Sequence, residues 1–318
     1  MNTVESIFSS LQAMQVPQDG QYSLSKIELS EADVYYGKDS DGHSVFAMIS
    51  QNTKLRASIQ KTKKLVFWFN AVCDIVADGT HTETTMNVLT CLSDDVNEII
   101  AFIRLTLAFI EGADEQSPKR LHELFAALTN LFASANKASQ MELQGFYGEL
   151  YAIKYFCQLG LNLSDYWQKK EKMKFDFSIS TQKKVEIKST LRELRIHHFR
   201  HEQLLSDLYD ICIISILLRT DDQGLSLWEL VKDVQRVAAS SFDTLMYIED
   251  FIKNFDETEL RSIKFDIGYM DRNLSVYNAE DIPRFEEEQP QGVSKTEYDS
   301  DLSNSKALPI NEFISWTQ

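Results

Sequence analysis

The 318-residue sequence predicts an α/β protein in which a mixed central sheet is flanked by helices and preceded by a smaller α+β region. Three patterns lead there. The first 74 residues alternate runs rich in Val, Ile, Phe and Tyr with turn clusters, as a strand meander does. A long helical stretch, Met141 to Leu159, is followed by two short strand candidates. Ile211 to Leu218 is an unbroken run of eight apolar or Ser residues, which fits a strand buried on both faces.

The elements follow in chain order. A short helix opens the chain, and the segments Lys26 to Tyr36, Ser44 to Ser50 and Lys64 to Asp74 form the meander, broken by turns such as Gly37-Lys38-Asp39-Ser40-Asp41-Gly42. Strand Thr85 to Thr90 precedes Ser93-Asp94-Asp95, a helix cap for the apolar run Ile99 to Ile110. That run carries Arg104 and falls short of the about 20 residues a membrane span needs, so it is a buried helix. Ala113 to Pro118 is a polar loop, and Pro118 suits the first turn of a helix that runs to about Ser134. The small, polar stretch Ala133 to Gln140 divides an N-terminal region, 1–136, from a second domain, 137–318. There, Met141 to Leu159 is one helix stopped by Gly160. Strands Phe175 to Ser180 and Lys184 to Ser189 flank a turn at Thr181-Gln182. A helix near Phe199 to Leu208 leads to the buried strand, and helices at Leu225 to Ala239, capped by Ser226, and Phe242 to Phe255 complete the core. The segment 280–301, with eight acids against two bases, is expected to be mobile.

Cys73, Cys91, Cys157 and Cys212 are widely separated and read as reduced core thiols. The start, MNTVESIFSSLQAMQ, lacks the basic and apolar regions of a secretory signal, and a cytoplasmic location with no membrane contact is expected. The net charge of −16 on its face opposes a nucleic-acid partner.

The chemistry concentrates after residue 140. Asp176 lies between Phe175 and Phe177 on a strand, so the aromatics share one face and the carboxylate takes the other. Ten residues on, Val185 and Ile187 share one face of Lys184-Val185-Glu186-Ile187-Lys188, and Glu186 and Lys188 share the opposite one. A hairpin across the short turn brings Asp176, Glu186 and Lys188 together. Carboxylates held close repel each other, and a divalent cation with oxygen ligands, such as Mg²⁺, relieves the repulsion. Lys188 can then orient an attacking water or stabilise charge on a phosphate. Upstream, Gly145, Gly148, Glu149 and Ala152 share one helix face. Two mid-helix glycines cost roughly 1 kcal/mol each relative to Ala. That cost predicts close approach of the helix to the sheet, with Glu149 aimed at the same edge.

On these residues the chain resembles the PD-(D/E)XK nuclease superfamily. The wording Gly148-Glu149-Leu150-Tyr151, Trp167 before Phe175-Asp176-Phe177, Val185-Glu186-Ile187-Lys188-Ser189-Thr190 and Gln203-Leu204 is similar to a bacterial branch built on a domain of unknown function. The likeness in element order spans most of the chain, its specific motifs only about 141 to 220, and Phe175 replaces the proline of the superfamily's name. The resemblance implies a restriction-endonuclease-like core and Mg²⁺-dependent hydrolysis of DNA phosphodiesters, with Mn²⁺ able to substitute. Asp176, Glu186 and the Ile187 carbonyl would ligate the metal, Glu149 would be a further ligand or supporting acid, and Lys188 would position the water. The products would carry a 5′-phosphate and a 3′-hydroxyl. Members of the branch resemble restriction-type components encoded with DNA methyltransferases and ATPases in phage-defence loci. A catalytically silent or partner-activated scaffold that docks such an ATPase or methyltransferase is the alternative. RNA as substrate and the oligomeric state, a homodimer included, are left open.

His197, His198 and His201 fall within five residues but lack a zinc-like set of partners. His198 and Gln203 are the candidates for phosphate contact or support of the site. Residues 169–200 hold ten Lys and Arg against four Asp and Glu, a local +6, and among them Lys184, Arg192, Arg195 and Arg200 are the expected DNA contacts. The total charge is therefore a sum of two regions of opposite sign. Tyr35-Tyr36, Phe67-Trp68-Phe69 and Tyr147 with Tyr151 read as core rather than as base-stacking platforms.

Overall fold

The computed structural model describes residues 4–27, 33–50, 56–77, 80–111, 118–132, 138–168, 174–205, 209–286, 293 and 295–318. The chain divides into two compact units, one of residues 1–135 with 239–253 and one of residues 136–238 with 254–318.

The first unit contains α1 (Val4–Ala13), β1 (Tyr22–Ile27), β2 (Val34–Asp39), β3 (Ser44–Ile49), β4 (Ser58–Lys61), β5 (Leu65–Ala77), β6 (Thr80–Cys91), α2 (Val96–Glu111) and α3 (Pro118–Leu131). Its six strands form an antiparallel sheet in the order β1-β2-β3-β6-β5-β4. The segment read as one strand over Lys26 to Tyr36 is two strands, β1 and β2, paired with Ile27 opposite Val34. Both residues are buried, and the polar Ser30 to Asp33 interrupts the apolar run between them. Asp95 Oδ1 accepts the amides of Asn97 and Glu98 at 2.8 and 3.2 Å, which starts α2 at the expected cap. From Ala101 to Ile110 every residue of α2 is buried. Its buried Arg104 pairs with Glu249 of a helix far along the chain.

The second unit begins with α4 (Gln140–Gln158), whose capping box joins Ser139 to Glu142 and whose end is turned by Gly160 at φ 87°. There follow β7 (Phe177–Ser178), β8 (Lys183–Thr190), β9 (Ile196–Arg200), β10 (Asp210–Leu217), β11 (Thr220–Ser226) and α5 (Leu227–Val237). The chain then returns to the first unit as α6 (Phe242–Ile252), where Leu245 joins the core cluster and Glu249 meets Arg104. The single boundary near residue 136 thus leaves out this return. The second unit resumes with α7 (Glu257–Ser262), β12 (Lys264–Phe265), α8 (Ile267–Asn273), β13 (Leu274–Asn278), β14 (Glu297–Asp301) and α9 (Ile310–Thr317).

Its main sheet runs β13-β10-β8-β7 and is mixed: β10 is parallel to β8 and antiparallel to β13, and β7 is antiparallel to β8. Every residue of β10 beyond Asp210 is buried, as its composition requires. The helix expected over Phe199 to Leu208 is not formed there. Ile196 to Arg200 is a strand instead, followed by a 3₁₀ turn at His201–Gln203, while residues 206–208 lie outside the described residues. The reason is long-range pairing: β9 and β14 form an antiparallel ladder. Part of the segment 280–301 is therefore ordered as β14, and residues 287–292 and 294 of it lie outside the described residues. No helix among the described residues is long and apolar enough to cross a membrane.

Helix α4 lies on β8, with Gln144 Nε2 donating to Ser189 O at 2.9 Å and Ser189 Oγ donating to Gln144 O at 3.1 Å. The two mid-helix glycines have different reasons. A Cβ on Gly148 would sit 3.0 Å from Ser189 Cβ, so this is the point of close approach, whereas a Cβ on Gly145 would meet nothing within 4 Å. Gly145→Ala is accordingly expected to stabilise the protein by about 1 kcal/mol. Gly148→Val is expected to destabilise it by about 1–3 kcal/mol through overpacking. Urea denaturation of both variants reads these opposite signs.

Candidate active site

Strand β8 carries the site because its outer edge runs out of partner. β7 pairs with it only at Phe177 opposite Val185 and Ser178 opposite Lys184. Before that the chain turns to the preceding segment: Trp167 bridges Phe177, and Gln168 N donates to Asp176 O at 2.7 Å. Among the described residues no strand stands opposite the Ile187 amide, which donates to Asp176 Oδ2 at 2.6 Å. In an extended chain the N–H and C=O of one residue face the same edge, so the Ile187 carbonyl looks to the Asp176 side as well.

Glu186 is buried, 5% exposed. Its Oε1 accepts from Gln203 Nε2 at 2.5 Å and from Lys188 Nζ at 2.9 Å, while its Oε2 is buried with no hydrogen-bond partner. Gln203 Oε1 in turn accepts from Lys188 Nζ at 3.1 Å and from the Arg200 amide at 3.0 Å. The Lys188 ammonium also lies 5.1 Å from the centre of the Phe199 ring. Glu149, on α4, accepts from the indole of the buried Trp167 at 2.6 Å, and that indole is stacked between Phe146 and Phe177. These groups face a cleft of about 580 Å³ whose walls include Gly145, Glu149, Asp176, Glu186 and Lys188.

The electrostatics are those of buried carboxylates for which the nearby cation, Lys188, is outweighed by burial and by their own charges. Burial, then the charges of Glu186 and Glu149, hold Asp176 well above the usual carboxylate range against the pull of the Ile187 amide. Burial pushes Glu149 up to about 7, opposed by the Trp167 hydrogen bond and reinforced by Glu186. His197, which also lines the cleft, is pushed down to about 3 by burial and by the cations Lys188, Arg195 and Arg192.

Asp176, Glu186, Lys188 and Gln203 are thus brought together, and Glu149 lines the same cleft close enough to raise Asp176 and be raised by Glu186. The residues expected to touch DNA divide into two groups. Arg192, His198 and Arg200 are exposed, and each is paired with Asp299 or Glu297 of β14. Arg195 turns inward instead, its guanidinium donating to Ser215 O and Oγ at 3.1 and 2.9 Å and to Asn273 O at 2.7 Å, so it braces β10. Lys184 is drawn back to its own hairpin, donating to Ser178 Oγ and Ser180 O at 2.5 and 2.8 Å. Three participants were not singled out as functional from sequence: Trp167, His197 and the β14 acids. For the last, the alternation Glu297-Tyr298-Asp299-Ser300-Asp301 was the available signal.

The donor set fits a divalent cation on structural grounds, since Glu186 Oε2 is an orphaned buried acceptor and the nearby carboxylates are pushed up by burial and then by one another's charge. Among the described residues, the three-residue set whose ligand atoms lie within 4.8 Å of one another is Asp39, Asp41 and His43, at the β2–β3 turn. Glu149, Asp176 and Glu186 are more widely spaced than that. The Asp39 set is occupied as a turn, because Asp39 Oδ1 accepts the amides of Asp41 and His43 and its Oδ2 meets His43 Nδ1.

A family model described as "Putative PD-(D/E)XK family member, (DUF4420)" matches residues 4–303. The chain belongs to this family. Among curated proteins and solved structures no significant match is found. PD-(D/E)XK membership points to a nuclease-like protein of a kind that usually works with divalent metals, and the acidic cleft on β8 is where such chemistry would sit.

The raised carboxylates make stability depend on pH with a definite sign. A folded-state pKa above the unfolded one means the native state holds protons the unfolded chain releases, so the contribution is present at low pH and lost as pH rises through the folded-state value. For Glu149 that window runs from 4.5 to about 7. In cation-free protein the urea midpoint is expected to fall between about pH 5 and pH 8, and Glu149→Gln is expected to reduce the fall by about 1–3 kcal/mol. An identical pH dependence in the variant would show that Glu149 titrates as an ordinary carboxylate.

Proposed function

We propose that the protein is a metal-dependent DNA endonuclease of the PD-(D/E)XK type, built on a restriction-endonuclease-like core and acting in a bacterial restriction or anti-phage system. The observation that carries the reading is one network at the edge of β8. It joins the Ile187 amide to Asp176, and Glu186 to both Lys188 and Gln203. The order α4, β7, β8, β9, β10 with β8 parallel to β10 is consistent with such a core. The defence setting rests on the likeness to restriction-type components encoded beside methyltransferases and ATPases.

Asp176, Glu186 and the Ile187 carbonyl would hold Mg²⁺ or Mn²⁺, with Glu149 as a further ligand or supporting acid. When bound, the cation supplies Lewis-acid polarisation of the phosphate and lowers the pKa of water. The chain's own residues do the positioning. An ammonium has three protons to donate. Glu186 Oε1 and Gln203 Oε1 take two of those on Lys188, which leaves the third for an attacking water or a phosphate oxygen in the cleft. The Phe199 ring beneath and the buried Gln203 amide beside it hold the ammonium in that orientation. The charge building on the phosphate then faces a fixed cation that need not reorganise, which is the larger part of electrostatic catalysis.

Plasmid DNA incubated with pure protein and Mg²⁺ or Mn²⁺ is expected to be nicked and linearised, leaving 5′-phosphate and 3′-hydroxyl ends. Glu186→Ala and Lys188→Ala are each expected to slow this by about 10²-fold or more. Cleavage that survives both substitutions would belong to a contaminant and would overturn the assignment. A labelled RNA assayed in parallel fixes the substrate class.

A further inference from the structure

The cleft is lined by Glu149, Asp176 and Glu186 and by a fourth carboxylate, the half-exposed Asp299. It comes from β14, a strand contributed by the acidic segment. The β9–β14 register sets Asp299 directly opposite His198 and Glu297 directly opposite Arg200. Asp299 meets His198 Nδ1 at 3.1 Å and Arg192 Nη1 at 3.3 Å, and Glu297 meets His198 Nε2 at 3.3 Å and Arg200 Nε at 3.5 Å. Two acids thus engage three bases: Glu297, Asp299, His198 and Arg200 share one face of the β9–β14 ribbon, and Arg192, His198 and Asp299 line the cleft.

These pairs are not what holds β14 in place. All five side chains are between 42% and 69% exposed. Pairs of that kind contribute about 0–1 kcal/mol each. The strand is held by its backbone ladder and by its other face, where Ser300 Oγ donates to Pro283 O at 2.6 Å and Leu302 beyond the strand end is fully buried. The outward acids are therefore replaceable without loss of fold. Arg and His are the groups that grip phosphodiester oxygens. Carboxylates two residues apart on one strand face repeat at ~6.8 Å, the scale of neighbouring phosphates along a nucleic-acid strand.

We propose that β14 is a built-in phosphate mimic, in which Asp299 and Glu297 stand in for two successive backbone phosphates of the substrate and must be displaced from Arg192, His198 and Arg200 when nucleic acid binds. The inference rests on the nucleic-acid reading of the cleft given above. Binding is then an exchange of one set of anions for another, and the rim contributes little net affinity until the acids leave. A duplex that engages the cleft at the same time gains where a chance phosphate contact does not.

The test is fluorescence anisotropy of a labelled DNA duplex with the metal-free full-length chain over a salt series. It compares the natural sequence with the double variant Glu297→Gln, Asp299→Asn and with a charge-matched control, Glu280→Gln, Glu312→Gln, at two exposed acids. Thermal unfolding followed by circular dichroism confirms that all three fold alike. The β14 variant is expected to bind on the order of tenfold more tightly at low salt, with a log–log salt slope steeper by about 2, because the guanidiniums of Arg192 and Arg200 become available to phosphate. The control is expected to tighten binding less than about threefold with an unchanged slope. A β14 variant indistinguishable from the control overturns the inference. If the natural protein still cleaves DNA in that case, the nuclease reading stands without it. If neither protein binds or cleaves any nucleic acid, both fall.

Discussion

The site depends on one backbone amide. Among the described residues the outer edge of β8 beyond Val185 has no neighbouring strand, and a buried amide without an acceptor costs about 1–3 kcal/mol. Asp176 supplies the acceptor by turning its side chain to where a strand would have placed a carbonyl. That substitution fixes a carboxylate at the sheet edge, on the side the Ile187 carbonyl also faces and close to Glu186. Were β7 to continue as a regular partner, the amide would be satisfied by backbone, and Asp176 would have no reason to enter the sheet edge. Trp167 and Gln168 draw the chain away at this point, and Trp167 also gives its indole proton to Glu149.

From that constraint follows an electrostatic conflict the fold leaves unresolved. Burial and mutual repulsion raise Asp176 and Glu149, and Glu186 keeps one oxygen without a partner although Gln203 and Lys188 both serve the other. Strongly raised carboxylates beside a partnerless buried acceptor mark a candidate functional site. The surroundings are firm by comparison. Gly148 seats α4 against Ser189, and β10, buried on both faces, backs β8 along its whole length. Arg195 adds three hydrogen bonds that tie the start of β9 to β10 and to the end of α8.

What could be read in the sequence was local. α4, β8 and β10 announce themselves through a long helical stretch stopped by Gly160, an alternating Glu-x-Lys strand and an apolar run, and the convergence of Asp176, Glu186 and Lys188 needs only a short hairpin to appear. What could not be read was non-local. Ile196 to Arg200 has alternating burial, yet a segment with two adjacent histidines and no apolar run passes for a helix until its partner is known. That partner lies about a hundred residues downstream, in a stretch whose acidity suggested mobility. The fate of individual cations was equally hidden, because no pattern distinguishes Arg195, spent on Ser215 and Asn273, from Arg192, left on the rim. Gly145 and Gly148 look alike as text and differ only in what stands opposite them.

The charge of the chain takes its meaning from the same long-range pairing. Residues 169–200 carry a local +6 within a total of −16, which invites the picture of a basic patch on an acidic body. Placed in the fold, the described cations of that patch are largely committed. Lys174 meets Glu202, Lys183 donates to the Trp316 carbonyl, Lys184 is held by its own hairpin, Arg195 is internal, and Arg192 and Arg200 face acids brought in by β14. Lys188 alone among the described cations of that stretch both faces the carboxylates and retains a proton to give, since an ammonium offers three and two are taken. A summed charge therefore says little about whether a phosphate is attracted to this cleft. Were a phosphate to bind at these residues, the deciding quantity would be the difference between what Arg192, His198 and Arg200 gained from it and what they gave up on leaving Asp299 and Glu297.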